Sequence, residues 1–312
     1  MKMSVELIKR VYPHTNADTL ELVQVLGYQC IVPKDKYKEG DKIVFIQPDY
    51  VLPDLPWAAD YKKYVKNRIK AIKIRGEWSE GIILPLQEDK EIGTDVKDEL
   101  QIVKYSVPES NEGNTKPFLP FSIPKTDEPR WESLREIPFG EFVDVSLKID
   151  GQSWSMFYHL PTEQFGIASR SITFTEEDRN DYTSHLQRYP NLKQKLIEIC
   201  QQNGKSLCIR GESFGQGIQN MKHNPHCKLE KGLKLFSVYI IDEHRYAGKG
   251  DPLYFATLFP EMAIDILEQN VVLTRELIDK YSLTTDFGYE GVVMKGKDFS
   301  FKVINKHYDS KK

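Results

Sequence analysis

Between residues 104 and 130 the chain reads KYSVPESNEGNTKPFLPFSIPKTDEPR, and five of its 17 prolines (Pro108, Pro117, Pro120, Pro124, Pro129) fall there. Proline removes a backbone donor and fixes φ, so with Ser, Asn and Gly in between, such a stretch sustains neither helix nor strand. It is expected to divide the 312 residues into a front domain over 1–103, a linker over 104–127 and a second domain over 128–312. Each part is long enough to bury its own core.

Ahead of the linker, short β-rich runs recur at close spacing: Leu22 to Leu26, Tyr28 to Val32, Lys42 to Ile46, Arg68 to Ile74 and Gly81 to Leu84. Strands this short, separated by turn residues, predict a small OB-like β-barrel. Behind the linker, strand-like runs (Phe142 to Lys148, Trp154 to His159, Gly166 to Arg170, Leu207 to Arg210, Leu233 to Ile241, Gly291 to Met294, Phe299 to Ile304) are interrupted by helical stretches. The best helix is Asn191 to Gln202, with Leu192, Leu196 and Ile199 on one face and Gly204 past its end. The order fits an α+β domain built on antiparallel sheets.

Composition excludes several classes. No apolar run has the length of about 18 residues that a membrane span needs, and no apolar stretch follows Met1 as a signal would require, so a cytoplasmic protein without a membrane partner is expected. Cys30, Cys200, Cys208 and Cys227 form no CxxC pair, which fits reduced, inert thiols better than a disulfide framework. A net charge of −3 argues against nucleic-acid binding by bulk charge. A local basic surface is nevertheless present: YKKYVKNRIKAIKIR (61–75) carries Lys62, Lys63, Lys66, Arg68, Lys70, Lys73 and Arg75, no acid, and Tyr61 and Tyr64 between them. Cations interleaved with aromatics suit phosphate contact and base stacking; a solvated barrel strand is the plainer alternative.

Chemistry concentrates behind the linker. Ser146-Leu147-Lys148-Ile149-Asp150-Gly151 sets a lysine at a strand end with an acid two residues on. By itself K-x-D-G is a weak signal that also describes a hairpin turn with a surface lysine. It is followed, in order, by Ser169-Arg170-Ser171, by Arg210-Gly211-Glu212-Ser213-Phe214-Gly215-Gln216-Gly217-Ile218-Gln219, by Leu235-Phe236-Ser237-Val238-Tyr239, by Tyr289-Glu290-Gly291-Val292-Val293-Met294-Lys295, and by Phe301-Lys302-Val303-Ile304-Asn305.

This ordered set resembles the covalent nucleotidyltransferases, the superfamily of ATP-dependent DNA and RNA ligases and mRNA capping enzymes. Within it the chain is most similar to the RNA ligases whose OB-like domain precedes the nucleotidyltransferase (ATP-grasp-like ligase) domain, sometimes called the fifth RNA ligase family. The likeness extends to Pro13-His14-Thr15-Asn16-Ala17-Asp18-Thr19-Leu20-Glu21 and to Lys125-Thr126-Asp127-Glu128-Pro129-Arg130. It implies Lys148 as the nucleophile that takes AMP from ATP, and Asp150, Glu212 and Glu290 as the acids that hold Mg²⁺ or Mn²⁺. Lys302, Arg170 and Arg130 are implied as phosphate contacts, Gly151 as part of the nucleotide site, and Tyr239, with Phe236 in reserve, as the ring stacked on adenine. Both aromatics also suit the core of an apolar strand. The amine must be neutral to attack, although free lysine titrates near about 10.4, so cations, metal or burial have to depress it.

The chain departs from the family pattern in places. Relatives often carry a second lysine two residues after the motif lysine, where this chain has Ile304; Lys306, expected on the same strand face as Lys302, is the replacement candidate. Ser153 stands where DNA ligases usually have arginine, which favours RNA, and residues 303–312 leave no room for a C-terminal OB domain. The implied partner is RNA or an RNA-containing duplex broken between a 3′-hydroxyl and a 5′-phosphate, acted on by a monomer. A DNA ligase, a capping-type enzyme and an inactive OB-type RNA-binding protein are the rivals. His223, His226 and Cys227 sit at short spacing, but with no fourth ligand evident they read as loop residues rather than a zinc site.

Overall fold

The computed structural model describes residues 3–65, 67–105, 119–125 and 127–311, so Lys66, expected to contact nucleic acid, and most of the expected linker lie outside the described residues. Two compact units emerge. Described residues within Met1–Pro108, Pro129–Phe139 and Lys306–Lys312 form the first, and those within Glu109–Glu128 and Gly140–Asn305 the second. Two segments expected behind the linker thus pack with the front of the chain.

The first unit contains β1 (Ser4–Pro13), β2 (Leu20–Val25), β3 (Tyr28–Pro33), β4 (Lys42–Ile46), β5 (Tyr50–Val51), a helical turn α1 (Ala59–Lys62), β6 (Ala71–Ile74), β7 (Glu77–Glu80), β8 (Ile82–Pro85) and β9 (Val103–Lys104). Five strands make an antiparallel sheet in the order β3-β2-β1-β4-β8, and β5-β9 and β6-β7 are pairs. β1 joins β4 through Ser4–Leu7 and β2 through Ile8–Pro13, with an irregularity between Ile8 and Arg10 that lets one long strand serve both sides. β4 is buried on both faces: Val44 and Ile46 enter one apolar cluster with Met3, Val5 and Leu84, and Ile43 and Phe45 enter another with Val23, Val25 and Tyr28.

Gly81 turns the barrel's corner. β7 lies along β3, where Gln29 Nε2 donates to Trp78 O at 2.9 Å and the Ile31 N–H to Ser79 Oγ at 3.1 Å, while β8 pairs with β4. Between them Gly81 adopts φ +100, and a Cβ there would stand 2.6 Å from the Phe45 ring and 2.7 Å from Ile46 O. Only glycine lets one strand run bend from β3 to β4.

The second unit contains β10 (Phe142–Lys148), β11 (Gln152–His159), β12 (Gln164–Ala168), β13 (Thr173–Phe174), α2 (Ser184–Arg188), α3 (Leu192–Asn203), β14 (Leu207–Phe214), β15 (Gly232–Ile240), β16 (Arg245–Tyr246), α4 (Phe255–Leu258), β17 (Ile266–Val272), α5 (Arg275–Ser282), β18 (Gly291–Lys295) and β19 (Ser300–Ile304). They form antiparallel sheets in the orders β17-β10-β18-β19 and β13-β12-β11-β14-β15-β16. The main core unites Leu147 and Ile149 at the end of β10 with Trp154, Met156, Ile209, Leu235 and Val238 of the larger sheet and Leu192, Leu196 and Ile199 of α3. Part of the expected linker is packed here: Leu119, Phe121 and Ile123 join Phe157, Cys208 and Tyr239 in a second cluster. Among the described residues no helix is long and apolar enough to cross a membrane.

Candidate active site

Lys148 ends β10, whose apolar residues Val143, Val145 and Leu147 are buried, so the alternation of the strand turns Lys148 to the opposite face. Antiparallel pairing sets Lys148 opposite Gly291 and thereby brings the preceding Glu290 alongside. Lys148 Nζ donates to Glu290 Oε2 at 2.5 Å, with the two side chains 24% and 12% exposed. The Glu290 turn is fixed from behind by Asn305, which gives its N–H to Glu290 O at 2.9 Å and its Nδ2 to Phe287 O at 2.8 Å.

The glycine of K-x-D-G has a steric reason. A Cβ on Gly151 would fall 2.3 Å from Ser213 O and 2.9 Å from Glu212 Cγ, so glycine admits β14 to the turn and brings Glu212 to Lys148. Asp150 is buried and its carbonyl accepts from Asn224 Nδ2 at 2.9 Å.

Three carboxylates around one amine decide the electrostatics. Burial pushes the Glu212 carboxyl up to about 8; Lys148 opposes this, Glu290 and Asp150 reinforce it, and a hydrogen bond from the Gly151 backbone pulls weakly the other way. Burial by itself would lower Lys148, but Glu290, Glu212 and Asp150 outweigh it and hold the ammonium well above its ordinary range. In this arrangement Lys148 is a protonated ion-pair partner. To attack, it has to lose that hold.

The donors are all carboxylate oxygens, which suits Mg²⁺ or Mn²⁺. Among the described residues no group of three or more His, Cys, Asp and Glu stands at ligating distance. Cys227 donates its thiol to Asn224 O and Met221 O, at 3.2 and 3.4 Å.

The remaining expectations separate. Lys302 and Arg170 are brought together by one carboxylate, Asp127, at 3.4 and 3.3 Å. Arg130 instead belongs to the first unit. It is buried, with Nε and Nη2 on Asp49 Oδ2 at 3.0 and 2.8 Å and Nη2 3.4 Å from Asp309. A phosphate role for Arg130 is thus replaced by a structural one, because its donors are committed to two aspartates. Lys306 is corrected likewise: β19 stops at Ile304, Lys306 opens a short helix (Lys306–Asp309), and the alternation that would have aligned it with Lys302 no longer applies. Its Nζ pairs with buried Glu80 at 2.8 Å, inside the first unit.

The aromatic assignment also changes. An irregularity between Arg210 and Gly211 shifts the β14–β15 register, so Leu235 and Val238 face the main core while Tyr239 faces the second cluster. Tyr239 is buried among Phe157, Cys208 and Ile241, its hydroxyl 3.4 Å from His244 Nδ1; it is a core ring. Phe236, the bulged residue, packs half-buried against the cluster that contains Leu147 and Ile149, and is the better-placed ring.

In the basic stretch, the expected strand over Arg68 to Ile74 begins only at Ala71. Lys62 pairs with Asp54 and Lys63 with Asp60, the latter at 2.8 Å. Arg68 binds Asp49 at 2.8 Å and Asp309 at 3.4 Å and lies over the Tyr105 ring, which makes it part of the fold. Lys73, 4.8 Å above the Trp78 ring, and Arg75 are exposed, as is Tyr64. Lys70 is half-buried. Asn224 was not singled out in the sequence, and His226 was read there only as a loop residue: its ring lies 5.2 Å from Tyr289 and 5.9 Å from Phe214, and burial lowers its imidazole pKa. Their signal was only a polar loop after the glutamate motif.

An OB-fold domain family model matches residues 2–86. No curated protein sequence matches the chain. Among solved structures, the chain is similar to a Naegleria gruberi RNA ligase, seen as a lysine-to-alanine mutant with ATP and Mn at TM-score 0.83 and 23% identity, over 99% of this chain and 98% of that one. The same enzyme as a glutamate-to-alanine mutant with AMP and Mn gives 0.82 and 23% over 100% and 99%, and with PPi it gives 0.81 and 24% over 99% and 98%. The chain therefore has the fold of that ligase over its full length, an OB-fold front followed by the two-sheet unit that carries Lys148.

Proposed function

We propose that the chain is an ATP-dependent RNA ligase that works through a lysyl-AMP intermediate on Lys148. The observation that carries the reading is the placement of Lys148 against Glu290, with Asp150 and Glu212 beside it, in a chain whose full length follows an RNA ligase fold. In the first step the free amine attacks the α-phosphate of ATP; a P–N bond forms, the bond to the β-phosphate oxygen breaks and pyrophosphate leaves. AMP then passes to a 5′-phosphate, restoring the amine and leaving a 5′–5′ pyrophosphate end. A 3′-hydroxyl attacks that end, the phosphodiester forms and AMP departs.

The residues divide the work. Asp150, Glu212 and Glu290 would hold Mg²⁺ or Mn²⁺, which would supply charge against these carboxylates and the developing phosphoryl charge. Lys148 gives up its proton for the attack when the hold of these three acids on it is weakened. Lys302 and Arg170, already paired to the anion Asp127, take phosphate oxygens in its place. Phe236 offers a ring to the base, and Lys62, Lys63, Lys70, Lys73 and Arg75 offer cations to the RNA backbone next to the break. The division into an RNA-holding front domain and a nucleotidyltransferase domain belongs to the same proposal.

The test is incubation with α-labelled ATP and Mg²⁺ or Mn²⁺, followed by a denaturing gel. Label is expected on the wild type, absent from Lys148→Ala, and chased onto a 5′-phosphorylated strand at a nick with an RNA 3′-hydroxyl end. Label from GTP and not ATP would point to a capping-type enzyme; equal sealing of DNA 3′-hydroxyl ends would remove the RNA preference.

A further inference from the structure

The loop over residues 219–227 follows the glutamate motif and touches the neighbourhood of all three carboxylates. Asn224 is fully buried, and its carboxamide is engaged on both sides. Nδ2 donates to Asp150 O at 2.9 Å and to Gln219 O at 3.1 Å, and Oδ1 accepts the His226 N–H at 2.9 Å. A buried amide with both donors used is a strong constraint, since removing it strands buried carbonyls. One of those carbonyls is that of Asp150, two residues past Lys148.

His226, whose backbone N–H the same amide accepts, sets its ring against Tyr289 in a tilted contact at 5.2 Å and 37°, and Tyr289 immediately precedes Glu290. On its other side it meets Phe214 at 5.9 Å and 64°, two residues past Glu212. The loop thus grips the Asp150 turn by a hydrogen bond and the approaches to Glu290 and Glu212 by a ring.

We infer that Asn224 and His226 are positioning residues which set, from one loop, the spacing of the carboxylates around Lys148. The inference rests on the adenylyl-transfer reading and deepens it. A metal-assisted phosphoryl transfer depends on sub-ångström placement of its acids, so a clasp of this kind acts on the chemical step more than on nucleotide affinity. A loop staple with no such role would change stability alone.

The experiment is the rate of lysyl-AMP formation by the full chain, measured against ATP concentration with α-labelled ATP, with melting temperature followed in parallel. Asn224→Ala is expected to slow the step about 10- to 100-fold at saturating ATP while half-saturation moves less than about 3-fold. His226→Ala is expected to lose about 10-fold, and His226→Phe, which keeps the ring, to stay within about 3-fold of wild type. An unlabelled wild type sinks the adenylyl-transfer reading and the inference with it. A labelled wild type matched by Asn224→Ala and His226→Ala sinks the inference alone. Equal losses in His226→Phe and His226→Ala overturn the positioning role of His226, because the imidazole itself is then used. Should Asn224→Ala fail to fold, the His226 pair decides.

Discussion

Each unit holds a knot of cations and carboxylates, and the knots are balanced differently. In the first unit Arg68 and Arg130 alternate with Asp49 and Asp309, two charges of each sign, all but about a sixth buried or more. In the second unit Lys148 lies among three acids, Glu290, Glu212 and Asp150. Buried charges persist when geometry and hydrogen bonds compensate desolvation. The ring in the first unit meets that condition with protein groups alone. The cluster in the second sets three acids around Lys148, and burial, reinforced by Glu290 and Asp150, pushes Glu212 toward its neutral form. The same residue types make a fastener in one unit and a candidate reaction centre in the other, and the sum of local charge separates them.

That contrast can be broken most severely at its two cations. Lys148→Ala should reduce AMP labelling to background, since it removes the amine that Glu290 holds, and a retained signal would end the role of this lysine. Arg130→Met removes one arm of the balanced ring and leaves Asp49 and Asp309 under-compensated. Its cost should be about 3–5 kcal/mol in urea unfolding, with the folded fraction still labelled at the wild-type rate. Loss of labelling with stability intact would return Arg130 to the phosphates.

Glu132 tests the balance by pH. It is buried beside Glu80, and burial first and Glu80 second raise it to about 7, against the pull of Arg130 and Lys306. A carboxyl whose folded pKa lies above its unfolded value favours folding in the protonated form. Its contribution is full below about 4.5 and is lost as pH climbs through about 7. The fall in urea midpoint between pH 4.5 and pH 7 should therefore be smaller in Glu132→Gln than in the wild type, by on the order of 2–3 kcal/mol, while the fall owed to Glu212, pushed up to about 8, remains in both. A pH-independent difference between the two proteins would mean that Glu132 is ionised throughout.

What the sequence made legible follows from local physics. β4 and β10 were readable to the residue because unbroken or alternating apolar residues mark them. β1 was not, because Glu6, Lys9 and Arg10 interrupt it and its irregular register changes which face is buried, and β17, half exposed, carries little apolar signal. At the candidate site, ordered motifs singled out Lys148, Asp150, Glu212 and Glu290, which lie near one another because β10 pairs with β18 and β11, just past Gly151, pairs with β14. Arg130, Lys306 and Tyr239 could not be placed from the sequence. Their roles depend on which unit a segment joins, on where β19 stops and on a bulge in β14–β15, and none of these is a local property. Asn224 was hidden for a like reason: two of its hydrogen bonds stay within its own loop, but the one that ties it to the site reaches across 74 residues to Asp150.

The smallest expected effect separates cations that fasten the front unit from those that face outward. Arg68 is spent on Asp49 and Asp309, whereas Lys73 is exposed and lies over the Trp78 ring on the β6–β7 hairpin. An exposed cation–π contact is worth about 0.5–1 kcal/mol, so Lys73→Ala should barely move the unfolding midpoint. If Lys73 instead meets a phosphate, its loss reduces the number of counterions released on binding by about one, and the slope of log affinity against log salt for single-stranded RNA should shrink by about 0.7. Arg75→Ala should act alike. An unchanged slope in both variants would take the outward face of this hairpin out of the RNA path and leave the basic stretch to its structural partners.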